Sequence, residues 1–229
     1  MERTMSMLWA SWNLGQAATL CAALAFSLAL NVPLARAAWR LPRALDGTLP
    51  AEPTAAHRLG RRAFLLAAPL LAVACAWRFG ATGAALAAIV FVSVLLVLAW
   101  IDAETGYLPD RLTLPLLWLG LLVNMDAAFA PLAHAVAGAA GGYLAFWCVA
   151  AGFRALTGRE ALGRGDCKLL AALGAWLGWT ALPRIVFVAA CLGLAVALAR
   201  RLAGRLAPGE AFGFGPFLAA AGVAALWGM

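Results

Sequence analysis

Apolar residues run through this chain in long stretches, and charge is confined to the short segments between them. A bilayer core takes a helix of roughly 20 apolar residues, and only helices or closed barrels satisfy their backbone hydrogen bonds inside it. Eight stretches fit a helical span, at 12–35, 63–77, 81–101, 112–124, 127–153, 169–182, 185–199 and 211–227. The second, fourth, sixth and seventh are short and need a tilted helix or a thinned membrane. The expected architecture is an all-α polytopic membrane helix bundle of about eight transmembrane helices, forming one domain over 1–229. The segment at 36–62 carries Pro42, Gly47, Pro50 and Pro53 with few apolar residues, and reads as an irregular surface loop. His57 is expected to be solvated there. The small-residue stretch AVAGAAG at 135–141 suits close helix packing.

Composition agrees. Hydrophobic residues are 65% of the 229 and charged residues 12%, against about 45–50% and about 25% in soluble domains. Several of the ten tryptophans (Trp9, Trp39, Trp77, Trp100, Trp179, Trp227) fall near segment ends, as an interfacial belt requires. The net charge of +7 comes from short basic connections nearly free of aromatics, which argues against nucleic acid.

Its distribution orients the chain instead. Eight alternating spans put Arg36, Arg40, Arg43, Arg58, Arg61, Arg62, Arg111, Arg154, Arg159, Arg164, Lys168, Arg200, Arg201 and Arg205 on one side, fourteen of the 17 basic residues. Only Arg3, Arg78 and Arg184 lie on the other. The first side is therefore cytoplasmic. The apolar run at 20–34 followed by Ala35-Arg36-Ala37 is like a signal peptide in outline. Its charge order is reversed, with arginines after the run, so it reads as a retained first helix. The five cysteines form no C-x-x-C pair, and four lie within apolar segments as small hydrophobes. Cys167 reads as filler beside Asp166.

Two acids stand out. Asp102 ends one apolar run and Asp166 precedes another, both on the cytoplasmic side. Ionisable residues at such depths are candidates for function. Two carboxylates at one face can share a proton and activate water. The plainer readings are a helix-end charge for Asp102 and an N-cap for Asp166. Asn124 and Asp126 suit an external turn, Asn31 and His134 suit helix contacts, and Glu210 suits a cap on the last helix. A proton-coupled transporter would place acids nearer mid-membrane. A non-catalytic component of a pilus or secretion assembly would tolerate loss of either aspartate.

The sequence around the acids carries more. Asp102 opens a D-x-x-x-x-x-L-P-D element ending in Leu108-Pro109-Asp110, followed by TLPLLWLGL at 113–121. Asp166 belongs to GRGDCKLLAALGAWLGW at 163–179, and FGPFLA follows at 214–219. These stretches closely resemble the bacterial type IV prepilin peptidases, or prepilin leader peptidase/N-methyltransferases, of the GxGD aspartic protease class. The likeness runs from about residue 84 to the end, and SLALNVPLARAAWRLP at 27–42 resembles the family's first helix loosely. It implies an aspartic endopeptidase in the bacterial inner membrane, facing the cytoplasm, that cleaves the basic leader from prepilins or pseudopilins. It further implies that Asp102 and Asp166 are the catalytic pair. Asp110 competes for the first place; Asp102 is preferred because it matches the element's first Asp, and Asp110 then orients or caps. Gly163, Gly165 and Lys168 are motif or substrate-binding positions, and Glu104 and Arg164 are surface charges beside the cleft. Many relatives carry two C-x-x-C pairs after the first helix, which suits a metal; 36–62 has no cysteine, so no zinc is expected. Methylation with S-adenosylmethionine is correspondingly open.

Overall fold

A computed structural model describes residues 2–50, 52–158, 163–204 and 213–228, with side chains from residue 15 onward. Arg159, Arg205 and Glu210 lie outside the described residues, as does the start of the span at 211–227, and the side chains of Arg3 and Trp9 are likewise not described. The described chain forms eight α-helices: α1 Glu2–Leu45, α2 Ala55–Phe79, α3 Gly83–Thr105, α4 Asp110–Val123, α5 Leu132–Thr157, α6 Arg164–Leu177, α7 Leu182–Leu202 and α8 Gly215–Trp227. The all-α bundle is as the hydropathy pattern requires.

Eight helices are not eight spans. Five stretches are long and apolar enough to cross a membrane: α1 from Gly15, α2, α3, α5, and Trp179–Leu202, which is α7 with the 3-10 turn before it. That makes the chain a polytopic membrane protein. The remaining helices, α4, α6 and α8, have 14, 14 and 13 residues, only about 20 Å at roughly 1.5 Å per residue. Hydropathy overcounts here because an apolar helix of that length is as well suited to a protein core as to lipid. α6 shows this most clearly, since every residue from Asp166 to Leu177 except Lys168 is buried.

The expected irregular loop at 36–62 is mostly helix. α1 continues through Pro33 and Pro42 to Leu45, and α2 begins at Ala55 with Thr54 capping the His57 N–H. Trp100 is buried against His57 and Phe64 and does not join an interfacial belt.

α3 is the central span. It packs on α1, α2, α4 and α8, while α6 packs on α4, α5 and α8. α5 and α6 cross where Gly138 and Gly174 meet backbone to backbone. A Cβ on Gly138 would stand 2.5 Å from the Gly174 carbonyl oxygen. Trp176 of α6 donates to the Leu116 carbonyl at 2.8 Å and covers Gly120 of α4.

The far end of this layer is closed by Asn124, which does more than turn the chain. Its side-chain nitrogen donates to the carbonyls of Ala175 (2.9 Å) and Trp176 (2.8 Å), and its oxygen accepts from Phe129 and Ala130 N–H at 3.0 Å. It is fully buried. Asn124→Leu strands four buried backbone groups, at about 1–3 kcal/mol each before relaxation. The expected loss is on the order of 3 kcal/mol or more in reversible unfolding in detergent, and a change below about 1 kcal/mol would show that water replaces the side chain. Asn31, also buried, donates to Ser27 Oγ one turn earlier on α1.

Candidate active site

The two motif aspartates come from different helices and meet at one end of the bundle. α3 stops just past Asp102, where Gly106 takes a left-handed conformation (φ 66°) and its N–H closes on the Asp102 carbonyl at 2.8 Å. The side chain of Asp102 is buried, and its Oδ2 accepts the Gly215 N–H at 3.0 Å. Gly215 is the first residue of α8, so this carboxylate lies on a helix N-terminus, where the unpaired N–H groups and the helix dipole favour negative charge.

Asp166 occupies the third position of α6, with Gly163 as the N-cap residue. It is therefore not the cap that its sequence position suggested. It lies ahead of the apolar stretch of α6, is buried, and its Oδ1 has no protein hydrogen-bond partner among the described residues. Burial first, and then the Asp102 charge, push its carboxyl up to about 7, against an opposing pull from the Gly163 backbone. The two acids thus feel one another in a poorly solvated site.

What brings them together is a double clamp between the two motifs. Gly165 has room for no side chain, since a Cβ there would stand 2.8 Å from the Cβ of Leu108, in the L-P-D element. Three residues on, Lys168 donates to both oxygens of Asp110, at 2.6 and 2.8 Å. Asp110 is half-exposed and engaged by Lys168. The charge that acts on Asp166 is that of Asp102, while Asp110 faces Lys168. Arg164 is exposed on the first turn of α6.

Residues 89–198 match the type IV leader peptidase family. A prepilin leader peptidase/N-methyltransferase of Dickeya chrysanthemi is 44% identical over 198 residues, covering 86% of this chain and 67% of that protein. The chain belongs to this family. Proteins of the same name from Burkholderia pseudomallei and Klebsiella pneumoniae are 53% identical over 162 residues and 60% identical over 104. These alignments cover 71% and 45% of this chain and 52% and 46% of the relatives, so the chain spans about half the length of several curated relatives it matches. No solved structure matches it.

Within this leader peptidase family chain, the closing FGPFLA motif acquires a role that its sequence alone did not suggest. A Cβ on Gly213 would collide with the Asp102 carboxylate, and one on Gly215 would come within 2.7 Å of it. The sequence signal is limited to two glycines two apart, followed by a proline suited to a helix start, and does not name Asp102 as their neighbour.

Glu104, expected as a surface charge, is instead paired. His57 Nδ1 lies 2.8 Å from Glu104 Oε2, and Arg43 reaches Glu104 Oε1 at 3.9 Å while its guanidinium covers the Trp39 ring. His57 is buried between Trp39 and Trp100, not solvated. These contacts tie α1 and α2 to the end of α3, two residues past Asp102. No group of three or more His, Cys, Asp and Glu side chains among the described residues has the arrangement of a metal site.

Proposed function

We propose that the chain is a single membrane-embedded aspartic endopeptidase that removes the basic leader from prepilins or pseudopilins at the cytoplasmic face of the bacterial inner membrane. The observation that carries this reading is the burial of both Asp102 and Asp166, on separate helices, with the charge of Asp102 acting on Asp166. Two such carboxylates hold one proton between them. Asp102, accepting the Gly215 N–H at the α8 N-terminus, is suited to carry the negative charge. Asp166 is suited to hold the proton.

The ionised acid takes a proton from a water as its oxygen attacks the scissile carbonyl. The protonated acid donates to the carbonyl oxygen, and no covalent enzyme intermediate forms. The acids lie at the end of the bundle that carries twelve described basic residues, while Arg78 and Arg184 lie at the other. That imbalance supports a cytoplasmic site. A substrate helix lying in the same membrane then delivers its basic leader to this face. Buried acids at one end only are the pattern of a surface-facing hydrolase more than of a proton path across the bilayer.

The name of these relatives includes N-methyltransferase, a reaction that takes its methyl group from S-adenosylmethionine. That molecule carries a net positive charge. The large polar cleft among the described residues is lined by four arginines and does not fit it, so no methylation step is derived for this chain.

The test is cleavage of a prepilin by the protein in proteoliposomes, comparing wild type with Asp102→Asn, Asp166→Asn and Asp110→Asn. Each of the first two substitutions is expected to abolish cleavage. Asp110→Asn, which weakens the Lys168 clamp without touching the dyad, is expected to cost about 10-fold to 100-fold, as a small misplacement of a reacting group does. Full activity in either dyad variant would overturn the assignment.

A further inference from the structure

Between the ends of α1 and α2 lies a cleft of about 620 Å³ that the proposed peptidase chemistry does not use. Arg36 and Arg40 enter it from consecutive turns of α1, and Arg58 and Arg61 from the first turns of α2. Arg58 donates to the Pro53 carbonyl at 2.7 Å. The guanidinium groups of Arg36, Arg40 and Arg61 make no hydrogen bond or ion pair among the described residues, and no acidic side chain there lines the cleft. Four like charges around one space repel each other unless an anion lies between them.

The position of the cleft says which anion. On the apolar side of the arginines the same cleft is walled by Val32, Ala35 and Leu65. Val32 and Leu65 are exposed at 49% and 36% on the two helices that cross the membrane here. The order from apolar wall to guanidinium groups follows each helix in opposite chain directions, so both helices change from apolar to basic at one depth. A phospholipid has the matching order of acyl chain, glycerol and phosphate. Guanidinium forks bind phosphate oxygens in pairs, and basic pockets between helix ends on the cytoplasmic side suit anionic headgroups.

We propose that this cleft is a binding site for the headgroup of an anionic phospholipid, its phosphate held by Arg36, Arg40, Arg58 and Arg61 and its chains laid along Val32 and Leu65. His57 and Trp39 form the wall shared with Glu104. A bound lipid therefore fills the space behind the contact that joins α2 to the end of α3.

The test is lipid retention by the full chain in detergent, read by native mass spectrometry during titration with phosphatidylglycerol or, separately, phosphatidylcholine. The expected result is one retained phosphatidylglycerol and much weaker retention of phosphatidylcholine. Arg40→Gln with Arg61→Gln should weaken phosphatidylglycerol retention about thirtyfold, from about fivefold per arginine. Arg40→Lys with Arg61→Lys should remain within several-fold of wild type, and so tests the charge even if the glutamine variant fails to fold. Arg200→Gln with Arg201→Gln removes equal charge outside the cleft and should change nothing. Equal retention of both lipids, or unchanged retention in the glutamine variant, overturns the site. Displacement of phosphatidylglycerol by millimolar inorganic phosphate overturns the lipid as the source of the phosphate.

Discussion

Asp166→Asn is expected to abolish prepilin cleavage and, at the same time, to make the protein harder to unfold. A structural aspartate would behave in the opposite way on the second count. Asp166 is held at a carboxyl value of about 7, against an ordinary 3.8, mainly because burial penalises its charge. The folded state therefore binds this proton more tightly than the unfolded chain does. Its contribution to stability is greatest below the unfolded value, shrinks as pH rises from about 4 to about 7, and stays at its lowest above that. Asparagine has the same shape and no charge to desolvate, so the variant lacks this slope. At about 1.4 kcal/mol per unit, the difference above pH 7 is on the order of a few kcal/mol in favour of the variant. Melting temperatures measured from about pH 5 to pH 8 should fall for wild type and diverge from a flatter Asp166→Asn curve. Parallel curves would show that Asp166 is not strained by its site. Wild-type cleavage should also decline as pH passes about 7, because the dyad loses its shared proton. Strain of this kind at a reacting group is a common trade of stability for activity.

How much of this was legible in the sequence depends on range. The helices followed from apolar run length, and the acids stood out because charge is rare in such a chain. Resemblance singled out Asp102 and Asp166 as a pair, and the structure buries both, while Asp110 is half-exposed and engaged by Lys168. Hydropathy could not separate lipid-facing helices from core helices, which is why α4, α6 and α8 were counted as spans. Nor could it see pairings between distant positions. His57 and Glu104 each look like solvated charge, and only the approach of α2 to α3 makes them partners 47 positions apart. Asn124 is the same kind of case, a turn residue by type whose four hydrogen bonds depend on where α6 ends. The roles of Gly213 and Gly215 needed the placement of α8 on Asp102, a contact across 113 positions.

Gly174→Ala is expected to be the most damaging single methyl group in the molecule. A Cβ on Gly174 would fall on the Gly138 carbonyl group, and the neighbour it meets is helix backbone, which cannot rotate away as a side chain can. α5 and α6 must separate to admit it. Overpacking of this kind costs about 1–3 kcal/mol and occasionally more, and the gain of about 0.5–1 kcal/mol from replacing a helical glycine does not offset it. Gly141→Ala supplies the control. It adds the same methyl group to α5, three residues from Gly138, but at a position with nothing within 4 Å, so it should be neutral or stabilising by up to about 1 kcal/mol. If the two variants unfold alike, the close crossing of α5 and α6 is wrong. Activity should fall further than stability in Gly174→Ala. The helix pushed aside is the one that carries Asp166, whose position is held from the other side by Leu108 and Asp110. A displacement near 1 Å at a reacting group can cost about 100-fold. A variant that still folds in membranes should therefore cleave poorly, with its dyad chemically intact and its two carboxylates held too far apart.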